Sequence, residues 1–130
     1  MHKFGKNVTV LVADYHSEIR EAVCEYLNRI HGVHVVAEAI NGFEVLAKVE
    51  QLRPDIVLID VGLPELNGIE TARIIKRRFA STKVYLATLF DEALYELEAH
   101  RVSADGVVSK AHLKRSLASL MRVAQHQANQ

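Results

Sequence analysis

A lone cysteine, Cys24, in 130 residues rules out an internal disulfide. The chain does not need one, because a domain of this length buries about two-thirds of the surface it exposes when unfolded. Charge of one sign is missing as well. Sixteen Lys and Arg balance sixteen Asp and Glu, so the strong positive footprint of a domain that binds nucleic acid by itself is excluded. Contact with DNA would have to come through another domain. Long apolar runs are also lacking. The first one, Val8 to Ala13, is too short for a signal-peptide core or a membrane span, which predicts no membrane partner and a cytoplasmic location. With 49% apolar residues and only two prolines, disorder is excluded as the main state. Phosphate-cradling glycine loops and dinucleotide fingerprints are absent.

What is present is an alternation of two periods. Val8 to Ala13 is a β-branched, nearly continuous apolar run ending at Asp14, the pattern of a strand buried on both faces. From Ser17, an available N-cap, Ile19, Val23, Tyr26, Leu27 and Ile30 fall at helical spacing until Gly32. Val33 to Ala39 reads as a second strand. Asn41-Gly42 opens a helix carrying Val45, Leu46, Val49 and Leu52, which Arg53-Pro54 breaks. Residues 55–59 form a third strand running into Asp60, and Ile69, Ala72, Ile75 and Phe79 mark a third helix. A strand over 84–87, a short helix over 91–99, a strand over 105–109 and a helix from His112 to about Ala124 complete the series. Five buried strands alternating with five helices predict a doubly wound α/β parallel sheet. The chain reads as one domain over 1–130, with 1–7 and 125–130 as flexible ends or linker.

In open α/β sheets ligands bind outside the carboxyl ends of the strands. Strand one ends at Asp14, strand three at Asp60, strand four at Thr88 and strand five at Lys110. Two acids, a hydroxyl and an ammonium can therefore converge on one edge. Carboxylates on neighbouring strands suit a hard cation such as Mg²⁺, which takes one or two of them and completes its shell with water and phosphate. A carboxylate can also act as nucleophile and accept phosphate, while cation, hydroxyl and ammonium stabilise the transferred charge. Taken singly, each position has an ordinary reading as a strand-end or surface residue. Their joint placement favours a site. Cys24, beside Val23 and Leu27, reads as a partly buried apolar residue rather than a reactive thiol. His31 and His34, with Gly32 between them, share no fixed face and read as surface histidines.

The residues Asp60-Val-Gly-Leu-Pro-Glu-Leu-Asn-Gly68, preceded by Pro54-Asp55-Ile-Val-Leu-Ile59, resemble the phosphorylation-site segment of two-component response regulator receiver domains. Leu11 to His16 resembles their first-strand acidic motif, Tyr85 to Leu89 their fourth-strand hydroxyl motif, and Ala104 to Lys110 their fifth-strand lysine motif. The likeness covers essentially the whole chain. It implies a flavodoxin-like sheet of order 2-1-3-4-5. It also implies Asp60 as acceptor of phosphate from a sensor histidine kinase or phosphotransfer protein, with Thr88 and Lys110 contacting the phosphoryl group. By the same resemblance Mg²⁺ is held by Asp14, Asp60 and the carbonyl of Gly62, and Phe90 shields the acyl phosphate. The domain would be regulatory rather than an enzyme, beyond handling its own phosphorylation and dephosphorylation. A homodimer or partner face would lie on the fourth helix, fifth strand and fifth helix. Ala111 after the lysine, with Asp14 and His16 to Arg20, is more similar to receivers joined to LuxR-type DNA-binding domains, and no such output domain lies in these residues.

Three departures stand beside the match. Tyr15 occupies the place of the second metal-binding acid, and a phenol stays protonated near neutral pH. The alternative is therefore a pseudo-receiver, an interaction module that works without phosphorylation. Val107 replaces the usual switching aromatic, and Leu89 is bulkier than the small residue expected after the threonine. Tyr15 is free to stack, to hydrogen-bond or to fill the mouth of the pocket. An enzyme of the haloacid-dehalogenase type would need an acid two residues after the nucleophile, where Gly62 stands.

Overall fold

The computed structural model describes residues 7–90 and 92–128. Five strands alternate with five helices: β1 (Val8–Ala13), α1 (Ser17–Asn28), β2 (Val33–Ala39), α2 (Gly42–Leu52), β3 (Ile56–Asp60), α3 (Gly68–Arg78), β4 (Lys83–Thr88), α4 (Glu92–Arg101), β5 (Gly106–Ser109) and α5 (Leu113–Ala128). The strands form one parallel sheet of order β2-β1-β3-β4-β5. The doubly wound, flavodoxin-like order expected of the sequence is therefore present. Strand order reverses at β1, so the crevice between the carboxyl ends of β1 and β3 is the natural ligand position.

The near-continuous apolar strands are explained by burial on both faces. Val8, Val10 and Val12 of β1, with Ile56 and Leu58 of β3, pack against Val23 and Leu27 of α1 and Leu117 and Met121 of α5. The alternate residues Leu11, Ala13, Val57 and Ile59 pack against Val45 and Val49 of α2, Ala72 and Ile75 of α3, and Ala99 of α4. Period two along the strands thus feeds two separate cores. Two helices cover one face and three the other. The β1–β2 pairing carries a register shift between Val10 and Leu11.

Several boundaries differ from the sequence reading, each for a local reason. Ser17 is the first helical residue rather than the N-cap of α1. The cap is His16, whose side chain makes no capping bond. α1 also stops at Asn28, before Gly32, and the Asn28 side chain accepts the Val35 N–H. β3 and β5 begin one residue late because Asp55 and Asp105 turn their carboxylates onto the amides of Thr9 and Val84. Leu52, the last of the apolar residues carried by α2, is exposed at the helix end, where Arg53 adopts φ 47° and lies over the Phe79 ring. α5 continues through residues 125–128 instead of ending near Ala124, and the Gln125 amide donates to the His31 carbonyl. Residues 1–6, the proposed helix start Asp91, and 129–130 lie outside the described residues.

Asn41 and Asn67 cap α2 and α3 by accepting the N–H groups of Glu44 and Glu70. Glu44 in turn accepts the Ile40 N–H. Asn41→Ala is expected to lower stability by about 1 kcal/mol, read as a shifted urea midpoint at unchanged slope. An unchanged midpoint would mean that the cap contributes nothing. Burial, reinforced by Glu38 and opposed by Arg20, pushes the Cys24 thiol up to about 11. The thiol is therefore protonated and inert at neutral pH, as the apolar reading expects.

Candidate functional site

The acids at the ends of β1 and β3 are brought together by the ammonium at the end of β5. Lys110 Nζ donates to Asp14 Oδ2 and to Asp60 Oδ1, at 2.6 Å in both cases. All three side chains are sequestered, with 7%, 5% and 13% of the Lys110, Asp14 and Asp60 side-chain surface exposed. Placement follows from the ladder. Asp60 is the last residue of β3 and pairs with Ala87, Thr88 pairs with Ser109, and the Lys110 N–H donates to the Thr88 carbonyl at 2.8 Å. β3, β4 and β5 are thus held in register up to the residues that carry the chemistry.

Backbone amides occupy the remaining carboxylate oxygens. The His16 N–H donates to Asp14 Oδ1 at 2.9 Å, and the His16 ring lies 3.4 Å from the same oxygen. The Gly62 N–H donates to Asp60 Oδ2 at 3.2 Å, and a Cβ at Gly62 would lie 3.5 Å from that oxygen. The Asp14 N–H closes the β1–β2 ladder onto the Ala39 carbonyl. A buried carboxylate is tolerated only with such partners.

Thr88 is buried, and its hydroxyl accepts the Phe90 N–H at 3.0 Å. The residues at the carboxyl ends of four strands therefore gather at one edge as expected, with Asp14, Asp60 and Lys110 in direct contact and the Thr88 hydroxyl engaged by its own loop. Phe90 is 74% exposed, so its ring is turned to solvent rather than packed over Asp60. Tyr15 is 58% exposed and meets the His16 ring edge-on at 5.9 Å. Leu89 is likewise exposed, and Val107 is half-buried against the core.

One participant was not legible in the sequence. Arg20 on α1 donates through Nη1 to the Asp14 carbonyl and through Nε to Glu38 Oε1, both at 2.9 Å. Its position six residues beyond the acid was the sole hint, and helical spacing by itself does not aim a guanidinium backward at a strand end.

Among the described residues, no group of three or more His, Cys, Asp or Glu side chains could hold a metal ion. Two carboxylates bonded to one nitrogen nevertheless stand within reach of a single cation. That donor set fits Mg²⁺, which needs no more than two carboxylates when water and phosphate complete its shell. Lys110 occupies the ground such a cation would share. A surface depression of about 550 Å³ lies elsewhere, between α5 and the β4–β5 edge, lined by Tyr85, Val107, Arg115, Leu120 and Val123 among others. The chemistry is better located by the acids than by that hollow, because Lys110 fills the acid crevice itself. Burial, with Asp105 adding to it, also raises the Tyr85 phenol above its usual range.

A family model described as the response regulator receiver domain matches residues 10–122. A transcriptional regulatory protein of Bacillus subtilis (strain 168), YxjL, is 32% identical over 117 residues, 90% of this chain and 54% of its own. Response regulator GacA of Pseudomonas viridiflava is 34% identical over 103 residues, 79% of this chain and 48% of its own. The chain thus spans about half the length of these curated relatives. Among solved structures, a LuxR-family two-component response regulator from Aurantimonas sp. SI85-9A1 superposes with a TM-score of 0.87 at 26% identity, covering 94% of this chain and 87% of that one.

Proposed function

The chain belongs to the response regulator receiver domain family, and from that premise we propose that Asp60 is the phosphoacceptor of a two-component signalling switch. The observation that carries the proposal is the Lys110 ammonium held 2.6 Å from both Asp14 and Asp60. An acid pair so arranged has a charge-neutralising group already positioned beside the attacking oxygen.

In the proposed reaction an Asp60 carboxylate oxygen attacks the phosphorus of a phosphohistidine on a sensor kinase or phosphotransfer protein. The new P–O bond forms as the P–N bond breaks, and the departing histidine nitrogen keeps the electron pair and takes a proton from water. Lys110 balances charge on the phosphoryl oxygens. The Thr88 hydroxyl, whose oxygen accepts the Phe90 N–H, donates its own proton to a phosphoryl oxygen. Asp14, Asp60 and the Gly62 carbonyl would hold Mg²⁺, which when bound offsets the charge gathering on the transferred oxygens.

Switching follows if the phosphorylated state prefers one of two surface arrangements. The face formed by α4, β5 and α5 is the proposed readout surface, for a homodimer or another protein, since Phe90, Leu94 and Leu97 are exposed there. DNA contact, as the transcriptional relatives suggest, would run through a further domain. No helix among the described residues is long and apolar enough to cross a membrane.

Incubation with Mg²⁺ and acetyl phosphate is expected to add one phosphate by intact mass, and Asp60→Asn to abolish it. Beryllofluoride is expected to bind the wild type at the same position. Failure of both would overturn the phosphoacceptor reading in favour of an interaction module independent of phosphorylation.

A further inference from the structure

We infer that Arg20 is a positioning residue, whose guanidinium holds the turn after β1 so that the Asp14 carboxylate stands opposite Asp60 and Lys110. For a cation shared by the two acids, the inference rests on the reading proposed above. Past the last ladder bond, from the Asp14 N–H to Ala39, the chain leaves the sheet. α1 begins at Ser17, and the first helical N–H, that of Arg20, reaches back only to the His16 carbonyl. The Asp14 carbonyl therefore has neither strand nor helix to receive it. Arg20 Nη1 supplies the donor, at 2.9 Å.

The planar guanidinium makes that bond directional, because its Nε is committed to Glu38 Oε1 at 2.9 Å. Glu38 pairs with Val12 in the ladder, one step before the end of β1. One side chain, 16% exposed, thus ties the first turn of α1 to the ends of both strands. With its N–H fixed by Ala39, its carbonyl by Arg20 and its Oδ1 by the His16 N–H, Asp14 has Oδ2 alone left to face Lys110. Removing the guanidinium frees the peptide plane that aims the carboxylate.

The test is a Mg²⁺ titration followed by the backbone amide NMR signals of Asp14 and His16 in wild type, Arg20→Ala, Arg20→Lys and Glu38→Gln. Arg20→Ala is expected to weaken Mg²⁺ about tenfold or more, the usual effect of losing a group that orients a ligand. Arg20→Lys, with one donor in reach of the carbonyl, is expected to recover part of the loss. Glu38→Gln keeps the bond to Asp14 and, through its own Oε1, an acceptor for Nε, so it is expected to stay close to wild type. Equal affinities in all four proteins would overturn the inference, as would Glu38→Gln losing as much as Arg20→Ala. Should Arg20→Ala fail to fold, Arg20→Lys must still bind more weakly than Glu38→Gln, and the reverse order overturns the inference. A wild type that binds no Mg²⁺ would sink the proposed function instead. The role of Arg20 is then read in a crystal structure of Arg20→Ala or Arg20→Lys, where an Asp14–Lys110 contact still at 2.6 Å overturns it.

Discussion

Lys110→Met is expected to cost about 3–5 kcal/mol of stability, the usual penalty for removing one partner from a buried ion pair. The cost arises less from the bonds lost than from the charges left behind. Asp14 and Asp60 have 5% and 13% of their side-chain surface exposed, and without the ammonium two like charges face each other away from water. Methionine keeps the length and apolar stem of the lysine, so packing beneath the site is largely preserved and the effect isolates the charge. Two controls follow from the same reasoning. A second change, Asp14→Asn, should return much of the stability by removing one of the two charges. Added Mg²⁺ should also stabilise the methionine variant more than the wild type, since the cation no longer competes with a resident ammonium. Urea unfolding with and without Mg²⁺ measures all of this. A variant as stable as wild type, indifferent to Mg²⁺, would mean that the two acids do not share a cation at all.

Gly68→Ala is expected to lower stability and slow phosphorylation together. In an exposed first helical turn, alanine would ordinarily improve on glycine by up to about 1 kcal/mol. Here a Cβ would stand 2.1 Å from the Asp60 carbonyl oxygen and 2.7 Å from Ile59 Cγ2. A backbone oxygen has no rotamer with which to move aside, so either α3 or the end of β3 must shift. Overpacking of this kind costs about 1–3 kcal/mol and occasionally more, and the clash outweighs the gain in propensity. The loss should appear as a lower urea midpoint together with slower phosphorylation, because the strand displaced is the one that carries Asp60. An alanine variant equal or superior to wild type in both would show that the loop after Asp60 yields freely.

The parts of the molecule that the sequence disclosed are those in which a local pattern has a local cause. Apolar runs such as Val8 to Ala13 and residues 56–59 are strands because both of their faces are covered, and the same coverage places Asp14 and Asp60 at the sheet edge. Strand parity then brings Lys110 to them. The contacts that stayed hidden depend on the path of loops through space. Gly68 approaches Asp60 from eight residues away, and the guanidinium of Arg20 turns back against the direction of its helix to reach Asp14. The Thr88 hydroxyl was readable as a residue, but its engagement with the Phe90 N–H follows from the turn after β4. Asp55 and Asp105 misled the boundaries because their composition resembles a strand start, whereas their side chains serve the neighbouring strand.

The register shift between Val10 and Leu11 bears on how the molecule behaves in a crowd. An open parallel sheet has two unpaired borders, and such borders invite other chains to add strands and grow into fibres. At the β2 border the irregular pairing bends the strand. Two of its main-chain groups are also claimed from within: the Asn28 side chain takes the Val35 N–H, and the Lys48 ammonium donates to the Glu38 carbonyl. At the other border β5 is only four residues long, too brief a template for lasting strand addition. Resistance to polymerisation is therefore written into the two outermost strands, independently of whatever face the domain offers to its partners.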